Sequence, residues 1–316
     1  MMKFSMKKVA TAAMATVAVL AMSAGSALAA PVPTFTINSA AILGYAGTTV
    51  GDKFSGTSSE LLTRTGPGPG TGHTGSGYLR FNSLDLLGNP VKFFGPVAST
   101  YNLFVTFDLV DTYQPGTGTG IDTPNSVNTV NVLDFRVFAD PDQDNSFTQA
   151  TVTGNVGTNA FVTDPGLIKD DIFLGFGKLI IGTDGFNSLG GAAFNSIEQF
   201  SLCTGVGASV SGTTNTSAQL PGAGGGAFAA GCASGAGKAF FPLPNPFYEL
   251  AFTQFNNTTQ GLTRSTNGTL TAINQATGAV DFNRVPEPGS MALLGIALAG
   301  LGISSRRGKN KAAKAA

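Results

Sequence analysis

The sequence is poor in the residues that build common catalytic and metal centres. Among its 316 residues there is no tryptophan, one histidine and two cysteines, and charged residues make up only 11%. A single histidine removes most nucleophile–base pairs, and two lone thiols with one imidazole do not make a zinc site. No phosphate-binding motif follows the glycine-rich stretches. We therefore predict that the protein is not an enzyme, with one alternative kept open below.

Helix-forming residues are also scarce, whereas glycine (43 residues) and phenylalanine (24 residues) are abundant. Short segments of alternating apolar and polar residues recur between turn-rich stretches, most clearly from Tyr101 to Leu109. This pattern predicts an all-β protein, namely a β-sandwich-like domain with long Gly-rich loops. The segment Gln275–Gly278 within the last such stretch fits a hairpin turn. The aromatic segment 240–248 fits either packing at the sandwich edge, which we favour, or an exposed surface for stacking.

The first 29 residues have the three zones of a secretory signal peptide. Lys3, Lys7 and Lys8 precede an apolar run of about 14 residues, and small residues follow, with Ala27 and Ala29 forming an A-x-A cleavage site. We expect export through the Sec translocon and cleavage by signal peptidase. The chain would then divide into residues 1–29 (signal helix), 30–285 (β-rich extracellular body) and 286–316 (C-terminal tail).

The C-terminal tail places a short proline-containing motif before an apolar run and a basic end. Val285, Pro286, Glu287 and Pro288 form the motif, and residues 289–305 (Gly289 to Ser305) carry no charge. As a helix these 17 residues would reach about 25 Å, the low end of what spans a bilayer. The basic cluster Arg306, Arg307, Lys309 and Lys311 would hold that end in the cytoplasm.

This order of parts resembles the PEP-CTERM sorting signal of Gram-negative bacteria. The resemblance implies transient anchoring in the inner membrane, processing by an exosortase near Pro286–Pro288 and delivery to the cell surface or extracellular matrix. The alternative is a plain C-terminal membrane anchor. Segments of the body, such as FRVFADPDQDNSF and FFPLPNPFYELAFTQFNNTTQG, are similar to flocculation-associated PEP-CTERM proteins. That similarity implies a non-enzymatic role with extracellular polysaccharide in floc or biofilm formation.

With both ends removed, the body holds 10 basic and 17 acidic residues, a net charge of about −7. An acidic body argues against nucleic acid as a partner. Cys203 and Cys232 are expected to form a disulfide in an oxidising compartment, closing the Gly- and Ala-rich stretch between them.

The acidic turn after residue 139 is a candidate calcium site. Asp140, Asp142 and Asp144 stand at alternate positions, as the first three ligands of an EF-hand loop do, although the loop lacks the later glycine and glutamate. A solvated turn is the other interpretation, and the one we favour for the sequence alone. Three functions remain: a structural or adhesive matrix protein, a calcium-assisted carbohydrate-binding module, and an exported glycoside hydrolase using a carboxylate pair that could include Asp170 or Asp171.

Replacing Pro286-Glu287-Pro288 with three alanines should block sorting, because it restores helix-forming residues where the motif holds an extended segment. We expect full-length protein to accumulate in the membrane fraction, as measured by immunoblotting of cell fractions. The matched control replaces Arg264, a basic residue of the body, with alanine and should be sorted normally. Normal processing of the triple-alanine variant would show that the motif is not what the processing enzyme reads.

Overall fold

A computed structural model describes residues 33–66, 71–95, 100–163, 170–203, 236–257 and 261–283. The signal peptide, the C-terminal tail and Cys232 lie outside these ranges. Contacts group the chain from Thr34 onward into one compact unit, and the preceding unit, 1–33, is almost wholly outside the described residues. Among the residues described, we find no helix that is both long enough and apolar enough to cross a membrane.

The described residues are almost entirely β-structure. The strands are β1 (Phe35–Asn38), β2 (Thr48–Gly51), β3 (Lys53–Arg64), β4 (His73–Leu86), β5 (Asn89–Phe93), β6 (Asn102–Tyr113), β7 (Val127–Asp140), β8 (Ser146–Thr148), β9 (Thr151–Thr153), β10 (Val156–Thr158), β11 (Phe161–Thr163), β12 (Ile172–Phe186), β13 (Ala192–Leu202), β14 (Leu250–Asn256), β15 (Leu262–Arg264) and β16 (Leu270–Asn283). A 3-10 turn spans Ser39–Ala41, and one helical turn, α1, spans Gly237–Phe240. The all-β prediction is confirmed.

Eight long strands form a ring of antiparallel pairs. Their order is β14-β13-β12-β7-β6-β4-β3-β16, and β16 pairs again with β14, from Ala251 opposite Phe282 to Asn256 opposite Thr277. Opposite sides of this ring pack against one core, as the two sheets of a β-sandwich do. Unlike the two sheets of a sandwich, they are connected by strand pairing all the way around the ring. β5 adds to β4, and β15 adds to β16. Because β14 and β16 pair with each other, neither is left as an open edge along this stretch.

Two apolar clusters follow from the alternation of side chains along the strands. On β6, Leu103, Val105 and Leu109 belong to the core inside the ring, whereas Phe104 belongs to a second cluster on the other face. That second cluster includes Val152 and Val162 from the short strands β9 and β11. The segment β8–β11 therefore covers part of the outer face of the ring, and this covering was not evident from the sequence.

The predicted hairpin turn at Gln275–Gly278 is wrong. β16 continues through this segment, with a bulge between Asn274 and Ala276 and a positive φ of 58° at Gln275. The Asn274 side chain accepts a hydrogen bond from the Ser59 hydroxyl (2.6 Å) and donates one to the Ala150 carbonyl (2.9 Å). The bulge thus turns Asn274 toward polar partners while pairing with β3 resumes on both sides. A Cβ at Gly278 would lie 1.9 Å from the Gln254 carbonyl oxygen, so glycine allows the close approach of β14.

An aromatic cluster lies in the core near α1. The Phe54 ring is 4.9 Å from Phe81 and 6.2 Å from Phe241, and Phe241 is 4.8 Å from Phe247. Phe241 is 2% exposed, so this part of the aromatic segment packs into the core itself rather than at the edge of a sandwich. Such ring pairs add about 0.5–1.5 kcal/mol each to the stability gained from burial.

Phe54→Ala should lower the free energy of unfolding by about 3–5 kcal/mol, since the ring is buried and its removal leaves a cavity. Urea denaturation of the mature protein, followed by circular dichroism, measures the change. The control is Phe93→Ala on β5, because Phe93 is 56% exposed and should change stability by less than about 0.5 kcal/mol. Equal losses in the two variants would contradict the assignment of Phe54 to the core.

Candidate functional site

The ends of two neighbouring strands bring four carboxylates together. β7 ends at Asp140, and β12 begins beside it, with Ile172 opposite Ala139. Asp170, just before β12, therefore lies next to the turn that follows β7. One carboxylate oxygen from each of Asp140, Asp142, Asp144 and Asp170 lies within 4.8 Å of all the others. We call these four residues the acidic cluster.

Hydrogen bonds hold the most buried member of the acidic cluster in place. Asp140 is 0% exposed, and its carboxylate accepts hydrogen bonds from the backbone N–H groups of Gln143 (2.7 Å) and Asn145 (3.3 Å). The Asn102 amide donates a third (2.8 Å), and Asn102 in turn accepts one from Arg80 (3.0 Å). Burial raises the pKa of Asp140, and these hydrogen bonds oppose that rise. The turn is therefore fixed around a carboxylate rather than freely solvated at this point.

Asn145 and Asp171 form a second layer beneath the turn. The Asn145 side-chain N–H donates to Asp171 (2.7 Å), and both residues are buried. The Asn145 side-chain carbonyl oxygen is buried without a hydrogen-bond donor among the described residues. Asp170 and Asp171, which are adjacent in sequence, thus have different roles: Asp170 joins the acidic cluster and Asp171 orients Asn145.

The spread of the acidic cluster is compatible with one calcium ion. Ca²⁺–oxygen distances are about 2.3–2.6 Å, so two ligands of one ion lie at most about 5 Å apart. Oxygens within 4.8 Å of one another satisfy that limit. The sequence spacing suggested Asp140, Asp142 and Asp144, and the structure does place them together. The sequence analysis did not identify Asp170 as a fourth member of this site. Only the pairing of β7 with β12 brings Asp170 close to the other three residues, and no spacing within one segment indicates it.

The only histidine is buried in an ion-pair network away from the acidic cluster. His73 is 1% exposed, with Nδ1 2.9 Å from Asp111 Oδ2 and Nε2 3.1 Å from Asp122 Oδ1. Burial lowers the pKa of His73, but hydrogen bonds to the two carboxylates and their charges raise it to about 10. At neutral pH the ring is therefore an imidazolium that donates from both nitrogens. It cannot act as a general base in this state, and the network links β4, β6 and the loop before β7.

The predicted disulfide involves one residue inside the described ranges and one outside them. Cys203 follows β13, is 0% exposed, and its backbone N–H donates to the Leu174 carbonyl (3.0 Å). Cys203 is the one cysteine within the described ranges, and it is not a free thiol. Because Cys232 is outside the described residues, the Cys203–Cys232 pairing stays a prediction.

The remaining sites named from the sequence also lie outside the described residues. These are the cleavage site at Ala27 and Ala29, the motif at residues 285–288, the proposed membrane span 289–305 and the basic end. Comparisons with known proteins bear on the tail alone. No curated protein and no solved structure matches the chain.

A family comparison does match the tail. Residues 284–307 match the PEP-CTERM protein-sorting motif. The match begins immediately after β16 and includes the proline-containing motif, the apolar run and the arginine pair. The chain is therefore a PEP-CTERM protein, an exported surface protein of a Gram-negative bacterium that is targeted to an exosortase.

Proposed function

We propose that the body is a non-enzymatic component of the extracellular matrix that acts with exopolysaccharide in cell aggregation. The observation that carries this proposal is the sorting signal at residues 284–307, which delivers a folded β-domain to the cell exterior. Delivery would begin with the Sec translocon and signal peptidase, pass through an inner-membrane-anchored form, and end with exosortase processing. Nucleic acid is not an expected partner of a body with a net charge of about −7.

The architecture of the body supports a structural role. Closure of the eight-strand ring leaves its long strands paired on both sides, which protects them from edge-to-edge association with other chains outside the cell. The sole histidine is held between two carboxylates as an ion pair, which removes it as a general base. The similarity of FFPLPNPFYELAFTQFNNTTQG to flocculation-associated proteins points to aggregation as the process served.

Deletion of the gene in the producing strain tests the proposal. We expect dispersed growth, with exopolysaccharide still made but found in the culture medium rather than around cells. Settling rate and cell-bound carbohydrate measure the two effects. Re-expression of the natural chain should restore aggregation, whereas re-expression of the Pro286-Glu287-Pro288 triple-alanine variant should not.

Two results would overturn this role. One is unchanged settling of the deletion strain. The other is cleavage of the producer's polysaccharide by the purified mature protein that disappears in Asp170→Asn or Asp171→Asn, which would support the hydrolase alternative.

A second candidate function is calcium-assisted binding of carbohydrate. The specific observation in its favour is that Asp170 adds a fourth carboxylate to Asp140, Asp142 and Asp144 in the acidic cluster. The buried, unpaired carbonyl oxygen of Asn145 borders the same turn. Carboxylate and amide oxygens are the ligands that Ca²⁺ prefers. Four carboxylates so close together repel one another, and a divalent cation would offset that repulsion.

Calcium at 10 mM should raise the melting temperature of the mature protein. With a dissociation constant of about 1 mM, typical of extracellular modules, binding adds about 1.4 kcal/mol, or about 3–6 °C for a domain of this size. Asp170→Asn should remove most of this shift in differential scanning calorimetry. Asp134→Asn, a carboxylate of β7 outside the acidic cluster, serves as the control and should keep it.

Equal calcium shifts for Asp170→Asn and Asp134→Asn would show that the acidic cluster is not the binding site. Suppose instead that Asp170→Asn abolishes the calcium-induced rise in melting temperature, but that EDTA does not change the retention of the producer's polysaccharide. The acidic cluster would then bind calcium without assisting carbohydrate binding. The first result rejects the site, and the second rejects the assisted mode of binding.

A further inference from the structure

The core inside the ring contains a cavity of about 90 Å³. All eight ring strands contribute to its lining, which is mostly aliphatic and aromatic. A closed sheet of eight strands has an interior that side chains can fill or that can hold one small ligand. An engineered apolar cavity of about 150 Å³ binds benzene, so this smaller cavity has room for a ligand of about six non-hydrogen atoms or fewer.

Three of the polar residues that line the cavity already have hydrogen-bond partners. Asp184 is hydrogen-bonded to Asp111 and Asn128, and its pKa is raised well above the ordinary value, so it is an uncharged acid at neutral pH. Asn128, which also lines the cavity, donates to Asp111 (3.3 Å). The Thr253 hydroxyl donates to Glu198 (3.2 Å). None of these three side chains therefore depends on a ligand for a partner.

Glu60 on β3 differs from these residues. It lines the cavity on the same side of β3 as Leu62, and its carboxyl makes no hydrogen bond to another described residue. Gly77 lies directly opposite on β4, and a Cβ there would lie 2.8 Å from the Glu60 Cβ, so glycine allows Glu60 to occupy this position. Ser58, two residues earlier on the same face, also lines the cavity. A carboxyl group and a hydroxyl group thus stand together in a mostly apolar lining.

The protonation of Glu60 decides which head group fits beside it. Burial raises the pKa of Glu60 to about 7, and the charge of Asp111 contributes to the rise while His73 opposes it. Just below neutral pH the carboxyl group is therefore mainly neutral, with one O–H donor and a carbonyl acceptor. A hydroxyl group both donates and accepts, so it complements a neutral carboxyl group. A charged head group would lose its hydration in this cavity without an opposite charge to replace it.

We propose that the interior cavity binds a short aliphatic alcohol, with its hydroxyl group at Glu60 and Ser58 and its alkyl chain against the apolar lining. Burial of the alkyl chain supplies most of the affinity. The hydrogen bonds of the hydroxyl group supply the selectivity, because a ligand without an O–H leaves the carbonyl oxygen of Glu60 without a donor. The proposed site is separate from the acidic cluster and from the sorting tail, and it does not depend on the role in aggregation.

Isothermal titration calorimetry of the mature protein with 1-pentanol at pH 6 tests the proposal. The comparison ligands are 1-methoxybutane, an isomer of pentanol without an O–H group, and the charged analogues pentylamine and pentanoate. We expect pentanol to bind at least five times more tightly than 1-methoxybutane and at least ten times more tightly than either charged analogue. No binding of pentanol, as in a cavity that holds water only, would overturn the proposal. Equal binding of pentanol and 1-methoxybutane, or of pentanol and a charged analogue, would do the same.

Variants locate the binding. Glu60→Leu removes the carboxyl group and should bring the affinities for pentanol and 1-methoxybutane within twofold of each other, whereas a purely structural effect would change both alike. Glu60→Gln keeps a donor and an acceptor and should retain the preference for pentanol. Ala276→Leu places extra volume in the lining opposite Ser58 and should weaken both ligands, and Asp134→Asn, outside the lining, should change neither. If Ala276→Leu does not fold, the Glu60 variants decide, and an unchanged preference for pentanol in Glu60→Leu would refute the site.

Discussion

Pairing of β16 with β14 is the interaction on which the rest of the structure depends. β16 already pairs with β3 along nearly its whole length. Its second pairing, with β14, joins the two ends of the strand order and closes the sheet into a ring. Without it, both strands would expose rows of backbone N–H and C=O groups, and the core between the walls would open to water. Gly278 makes the approach possible, because a side chain there would meet the Gln254 carbonyl. Glycine at position 278 therefore permits the close contact through which the sheet closes.

Closure also explains where the polar groups can be placed. A ring of paired strands satisfies its own backbone, and two of its polar groups lie in different surroundings, one at strand ends and one buried with charged partners. The acidic cluster is the first case: Asp140 ends β7, and Asp170 precedes β12. His73 with Asp111 and Asp122 is the second. Asp184 belongs with the second case, since it lies opposite Asn128 and is hydrogen-bonded to Asp111 and Asn128.

The sorting motif and the ring are adjacent in sequence. β16 ends at residue 283, and the PEP-CTERM match begins at residue 284. Processing within the motif would therefore remove the tail and keep every strand of the ring. If export proceeds from the N-terminus through the Sec translocon, as expected from the signal peptide, the strand that completes the fold would be the last part of the body to cross the membrane. The ring would then close only after almost the whole body had been exported.

The sequence by itself determined the features encoded in contiguous residues. Composition and two-residue alternation were enough to predict an all-β body, and the order of motif, apolar run and basic end was enough to predict the sorting signal. Alternation from Tyr101 to Leu109 correctly separated the core-facing side of β6. The spacing of Asp140, Asp142 and Asp144 was enough to single out the acidic turn. Each of these patterns arises within a few residues, where side-chain direction follows directly from backbone geometry.

Only the tertiary structure decided the features that depend on strand pairing between distant segments. The apparent turn at Gln275–Gly278 became a bulge, because continuous pairing with β3 and β14 outweighs local turn preference. Asp170 joined the acidic cluster because β12 lies beside β7. Asp184 lies opposite Asn128 for the same reason, because the register of the β12–β7 pairing depends on both strands and cannot be read from either alone. Local sequence sets which way a side chain points, but the order and register of the strands decide what it meets.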